Sequence, residues 1–318
     1  MSTIEKAMEK LGQTAGRETV PRDPVTEADR ATASPGGDAA GLDPGAPGEV
    51  EQAALHHGEA GSPQNELGTR NRIQLDWKQL TAMGIINPHG EHSTHVSEQF
   101  RNIKRPLLTH VNGLAASPVT HPNLIMVTSS LSGEGKTFTS INLAMSLAME
   151  LEKSVLLIDA DVAKPEVSNR LGVQAKAGFI DVLLGKERLK DVLIKTDVPN
   201  LMLLPSGHRH VKATELLGSG AMRDFAEELA TRYADRIIIF DSPPLLMTTE
   251  SRVLASLVGQ IVVVVEESRT SHPVLKEALS MLESCEVVGL VLNKSRRPGG
   301  ADYYGGYGYG YGYGYGAK

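Results

Sequence analysis

The stretch Thr128-Ser129-Ser130-Leu131-Ser132-Gly133-Glu134-Gly135-Lys136-Thr137 holds the residue types that grip a polyphosphate. Glycines let backbone amides approach an anion closely, and a helix that starts at the loop's end turns its positive pole to the same spot. Lys136 can reach terminal phosphates, and the Thr137 hydroxyl can ligate Mg²⁺. The pattern G-x-x-x-x-G-K-[ST] is met except at its first glycine, where Ser130 stands. An apolar run, Leu124–Val127, precedes the loop and a helical pattern over 141–148 follows it. That is strand, loop and helix, the setting such a loop requires. A short G-x-G-K-T turn can also follow a strand by chance, so support must come from elsewhere in the chain.

Two further strand ends supply it. Val155–Ile158 runs into Asp159-Ala160-Asp161, whose carboxylates sit two apart on one side of an extended backbone. Ile237–Phe240 runs into Asp241-Ser242-Pro243-Pro244. An aspartate after four apolar residues, beside a phosphate loop, is the expected holder of Mg²⁺. The plainer alternative is an aspartate that starts a turn or caps the next helix.

The elements that must position these residues are legible from Leu124 onward. Apolar runs at 124–127, 155–158, 201–204, 237–240, 261–265 and 287–292 alternate with helical stretches such as 221–233 and 274–284. Several runs are continuous and β-branched, as strands buried on both faces are. The pattern predicts a doubly wound, mainly parallel α/β sheet with ligands at the strands' carboxyl ends. Upstream, a helix is expected over 97–108, with Phe100 and Ile103 on one side. Glu98, Arg101 and Lys104 fall three apart, which places them together on the other face; a solvated charged face is the plain reading.

Outside this core the chain changes character. Apolar residues at 4, 7, 8 and 11 mark a short amphipathic helix within 1–15. Residues 16–72 are rich in Gly, Pro, Ala, Asp and Glu and contain no Phe, Trp or Tyr, which predicts a disordered linker. Residues 73–120 read as a helical lead-in, 121–297 as the phosphate-loop core and 298–318 as a flexible tail. That tail alternates Gly with Tyr303, Tyr304, Tyr307, Tyr309, Tyr311, Tyr313 and Tyr315, seven of the chain's eight tyrosines.

Composition narrows the class. Formal net charge is −6, so nucleic acid is not an expected partner. Cys285 is the single cysteine, which removes a disulfide framework and suits a reducing compartment. No apolar run approaches the ~20 residues that span a bilayer, and the start lacks a basic-then-apolar leader. A membrane role is therefore expected through a partner.

The three motifs and the tail resemble the Walker A, A′ and B motifs and terminal tyrosine cluster of bacterial tyrosine kinases, the BY-kinases. The opening helix, the linker and the 100–106 segment resemble the cytoplasmic autokinases of exosortase and exopolysaccharide loci. The resemblance implies a P-loop NTPase-like fold and ATP held by Ser132, Gly133, Glu134, Gly135, Lys136, Thr137 and Phe138. Asn293 stands where related ATPases contact adenine, although a turn-forming Asn reads nearly as well. Mg²⁺ falls to Thr137, Asp159 and Asp241. Catalysis falls to Lys136, to Asp159 as the base that takes the tyrosine proton, and to Asp161 beside the metal. A tyrosine pKa near ~10 makes such a base physically necessary at neutral pH.

Glu98, Arg101 and Lys104 match the family's Glu-x-x-Arg-x-x-Arg interface of ring-shaped oligomers, with Lys at the last position. Ala163 and Lys164 stand where the family commonly has an Arg after the aspartates. The implied activity is tyrosine autophosphorylation of the tail, regulating exopolysaccharide biosynthesis or export. The implied partners are further copies of the chain, a membrane chain-length-determinant protein as activator, and a tyrosine phosphatase. The implied location is cytoplasmic, peripheral to the inner membrane. A partitioning-type ATPase with a deviant loop is the nearest rival, but its signature lysine position holds Leu131. A nucleotide-regulated scaffold with a Gly-Tyr adhesive tail is the rival from another class.

Overall fold

The computed structural model describes residues 71–90, 94–208, 210 and 212–295. All belong to one compact unit, Glu66–Lys318. The expected opening helix, nearly all of the linker and the tyrosine tail lie outside the described residues.

The strands are β1 (Leu124–Ser129), β2 (Ser154–Asp159), β3 (Ile194–Lys195), β4 (Leu201–Leu204), β5 (Arg236–Asp241), β6 (Gln260–Glu266) and β7 (Val287–Asn293). They form one sheet in the order β3-β4-β2-β5-β1-β6-β7, parallel throughout except for β3. Every residue of β1 and β5 is buried, because helices cover both faces of the sheet. β3 is only two residues long and antiparallel, too short to leave a period in the sequence. Asn71 and Arg72, expected in the linker, are paired to this strand: Lys195 donates its amide to the Asn71 carbonyl at 2.8 Å.

The helices are α1 (Trp77–Ala82), α2 (His95–Val111), α3 (Lys136–Ala148), α4 (Val167–Arg170), α5 (Phe179–Leu183), α6 (Leu189–Val192), α7 (Ala213–Leu217), α8 (Gly220–Arg232), α9 (Glu250–Ala255) and α10 (His272–Ser280). One core packs Ile125, Val127, Ile237 and Ile239 of the sheet against α3 and, beyond it, Phe100 and Leu107 of α2. The other packs Leu124, Met126, Ile238 and Phe240 against Phe179, Phe225, Leu229 and Ala278. The alternation along β1 and β5 is the two-residue pleat, and each Leu or Ile so buried contributes about 1.5–3 kcal/mol.

α2 corrects one expectation. Glu98 and Arg101 are exposed, but Lys104 is buried. Its Nζ donates to the Ser146 carbonyl at 2.6 Å and pairs with Glu150 at 2.6 Å. The three residues therefore do not share one face. At about 100° per residue, Lys104 lies roughly 120° from Glu98 and only about 40° from Phe100, so it turns inward with the apolar stripe.

Candidate functional site

Parallel pairing brings the chemistry together. Val127 of β1 is the register partner of Asp241, and Asp241 is the partner of Asp159. The phosphate loop leaves β1 at the level where both aspartates end their strands. The loop can turn this tightly because Gly133 and Gly135 take φ of 89° and 102°, the left-handed region that other residues avoid. Gly135 is also pressed by Asn293, whose amide nitrogen would lie 2.0 Å from any added Cβ.

Lys136 is the cation of the site. Its Nζ pairs with Asp161 Oδ2 at 2.7 Å and stands 3.9 Å from Asp241 Oδ2. Thr137 donates its hydroxyl to Asp241 Oδ2 at 2.8 Å, and Ser140 donates to Asp241 Oδ1 at 2.9 Å. Asp159 Oδ2 accepts the Val167 amide at 3.0 Å, while Asp159 Oδ1 is buried without a partner. Burial is the largest influence on all three shifted groups. It pushes Asp159 well above the ordinary carboxylate range, with the Asp241 charge adding to it. It also raises Asp241, against the opposing pull of Lys136 and the two hydroxyls. Burial alone would lower Lys136, but Asp241, Asp161 and Asp159 outweigh it and hold the ammonium above its usual value.

Three buried carboxylates around one ammonium are short of positive charge, and one carboxylate oxygen has no donor. Both observations fit a divalent cation beside Lys136. Among the described residues no group of three or more His, Cys, Asp or Glu side chains forms a ready-made metal cage. Mg²⁺ usually takes one or two carboxylates and completes its shell with water and substrate phosphates.

The remaining loop residues brace it. Glu134 is buried; its Oε2 accepts the Leu131 amide at 2.6 Å and its Oε1 accepts the Thr270 hydroxyl. Asn293 donates to the Glu134 carbonyl at 2.8 Å, and Lys294 to the Gly133 carbonyl at 2.7 Å. Ser132 is half-buried on the loop, and the half-buried Phe138 sets its ring edgewise to Phe100, 6.4 Å between centroids. Ser130, in the place of the usual glycine, buries a hydroxyl with no partner. Lys164 donates its amide to Asp161 but pairs its ammonium with Glu166 at 2.8 Å, largely exposed. Ser140, Thr270 and Lys294 were outside the expected site. Only Lys294, directly after Asn293 at a strand end, carries a local signal in the sequence.

Known proteins share the sequence and fold of this chain. A family model described as an AAA domain matches residues 123–286. Tyrosine-protein kinase YwqD of Bacillus subtilis is 31% identical over 214 residues, covering 67% of this chain and 86% of the relative. Tyrosine-protein kinase CpsD of Streptococcus agalactiae is 32% identical over 188 residues, covering 58% and 80%. The crystal structure of the chimerical protein CapA2B2 superposes with a TM-score of 0.59 at 25% identity, covering 74% of this chain and 97% of that one. With a Walker-type loop, paired strand-end aspartates and these relatives, the chain belongs to the bacterial tyrosine-protein kinases.

Proposed function

We propose that this kinase binds ATP with Mg²⁺ at the Lys136 loop and phosphorylates the tyrosines of the 303–315 cluster. The reaction passes between copies of the chain in a ring-like oligomer. The observation that carries this reading is the unpartnered Asp159 Oδ1, buried beside Lys136 and Asp241 at the mouth of the phosphate loop. The backbone amides of Ser132 to Phe138 and the Lys136 ammonium are the groups for the phosphates, and Asn293 borders the loop for the base. Thr137 and Asp241, with Asp159 alongside and Asp161 assisting, would hold the metal.

When bound, Mg²⁺ supplies positive charge that neutralises the terminal phosphates. Burial holds the Asp159 carboxyl above its ordinary range, and the charge of a bound cation would favour its ionised form. Ionised Asp159 accepts the tyrosine proton; the phenolate oxygen bonds to the γ-phosphorus, and the bond to the β-bridging oxygen breaks with its electron pair leaving on ADP. Lys136 moves from Asp161 to the β- and γ-oxygens. Positioning and charge stabilisation supply most of the rate.

Regulation of exopolysaccharide biosynthesis or export rests on the family resemblance of the opening helix, the linker and the 100–106 segment. A membrane chain-length-determinant partner is the proposed activator and a tyrosine phosphatase the proposed antagonist, at the cytoplasmic side of the inner membrane. Among the described residues no helix is long and apolar enough to cross a membrane. Seven phosphotyrosines add roughly −10 to −14 charges, which would loosen the oligomer by repulsion. The test is phosphosite mapping after incubation with Mg²⁺-ATP, for the full chain and for Lys136→Met. Phosphotyrosine on the tail of the first and its loss in the second are expected; equal signal in both would sink the reading.

A further inference from the structure

The turn after β6 brings a cation against the phosphate loop. A Cβ built on Gly133 would lie 3.2 Å from Arg269 Nη1, so the guanidinium rests on the side of the loop that carries no side chain. Arg269 Nη1 donates to Glu266 Oε2 at 2.9 Å, and the arginine side chain stays about half exposed. Lys294 Nζ holds the same Glu266 oxygen at 3.0 Å while donating to the Gly133 carbonyl. One carboxylate thus serves two cations at the rim of the loop. Glu266 is held below its ordinary range, first by Lys294 and then by Arg269. The neighbouring Thr270 fixes this turn to the loop through Glu134. Inside the site the balance is the reverse, with Lys136 facing Asp159, Asp161 and Asp241.

We propose that Arg269 is a second phosphate-binding cation of this kinase, exchanging Glu266 for the terminal phosphate of the bound nucleoside triphosphate. The inference rests on the reading of the loop as an ATP site and adds a residue to it. The exchange keeps the charges matched: a guanidinium–carboxylate pair gives way to a guanidinium–phosphate pair made by the same planar fork. Lys294 remains to neutralise Glu266. The guanidinium then meets the charge that spreads over the γ-oxygens as the bond to ADP breaks. Arginines in that role contribute about 10³–10⁵-fold in related phosphoryl transfers. A half-exposed one should contribute less.

The plain alternative is a surface brace, in which Arg269 only steadies Glu266. Calorimetric affinities for ATP and ADP with Mg²⁺, together with kcat and KM for tail phosphorylation, separate the two on the full chain. For Arg269→Ala the expected result is ATP affinity weaker by about tenfold, ADP affinity changed less than about threefold, and kcat lower by about 10–100-fold. Arg269→Lys should recover part of each loss. Glu266→Gln, which frees the guanidinium, should bind ATP as tightly as the wild type or tighter. Three results would each overturn the proposal: ATP affinity of Arg269→Ala within about twofold of wild type, an ADP loss equal to the ATP loss, or a Glu266→Gln loss equal to that of Arg269→Ala. Failure of the kinase reading shows separately, as wild-type chain that yields no phosphotyrosine while its ATP affinity still reports on Arg269.

Discussion

Asp159 and Asp241 are register partners across two adjacent parallel strands, and both are fully buried. Two like charges held this close in a dry site oppose each other, and the single Lys136 ammonium faces them together with Asp161. Asp159→Asn removes one of these charges while keeping an oxygen for the Val167 amide. The substituted chain is expected to gain about 1 kcal/mol of stability, read as roughly 2–4 °C in melting temperature, and to lose at least about 100-fold in kinase rate. A variant that melts earlier, or keeps its rate, would contradict the role given to Asp159.

The same pair sets a pH dependence. Asp159 in the folded chain holds its proton to higher pH than an unfolded carboxylate does. Stability linked to that proton is therefore complete below the unfolded pKa of about 3.9 and is lost as pH climbs through the higher folded value. Asp241 is shifted in the same direction. The melting temperature of the wild type, measured without nucleotide, should fall relative to Asp159→Asn as pH rises from about 4 toward neutrality. A gap that stays constant over that range would count against a raised Asp159.

Lys104 and Arg101 should part company when replaced. Lys104→Met strips the Ser146 carbonyl and Glu150 of a buried ammonium, so a loss of about 1–3 kcal/mol is expected. Arg101 is exposed, and Arg101→Ala should leave the melting temperature within about 1 °C while shifting the sedimentation profile toward smaller species. Equal effects of the two changes on melting would return Lys104 to the exposed face.

Asn293 steadies the loop through a single hydrogen bond to the Glu134 carbonyl. Asn293→Ala removes about 1 kcal/mol of that support, which converts to a roughly fivefold weaker ATP affinity. Gly135→Ala is expected to abolish binding, since its Cβ would meet Asn293 and its φ of 102° excludes a side chain. Titration of a fluorescent ATP analogue reads both; full-strength binding by the alanine at 135 would refute the tight approach.

The sheet was legible in the sequence because its buried strands are continuous β-branched runs, and the aspartates were legible because they end those runs. β3 was not, since Ile194 and Lys195 are too few to show a period. Lys104 was misplaced because residues three apart drift around a helix, so that six positions carry a side chain a third of a turn away. Thr270, Arg269 and Glu266 had no local signature at all. They reach the phosphate loop only through the pairing of β1 with β6, a contact between segments more than a hundred residues apart.

The grip of Lys104 on the far end of α3 has a mechanical meaning. α3 begins at Lys136 and runs about 20 Å to Ala148. α2 touches it near the start, where Phe100 meets Phe138, and near the finish, where Lys104 holds Ser146. α2 therefore lies along α3 from the nucleotide loop to its far end, with Glu98 and Arg101 exposed on its outer face. Shifting α2 without shifting the loop would require one of these two contacts to yield.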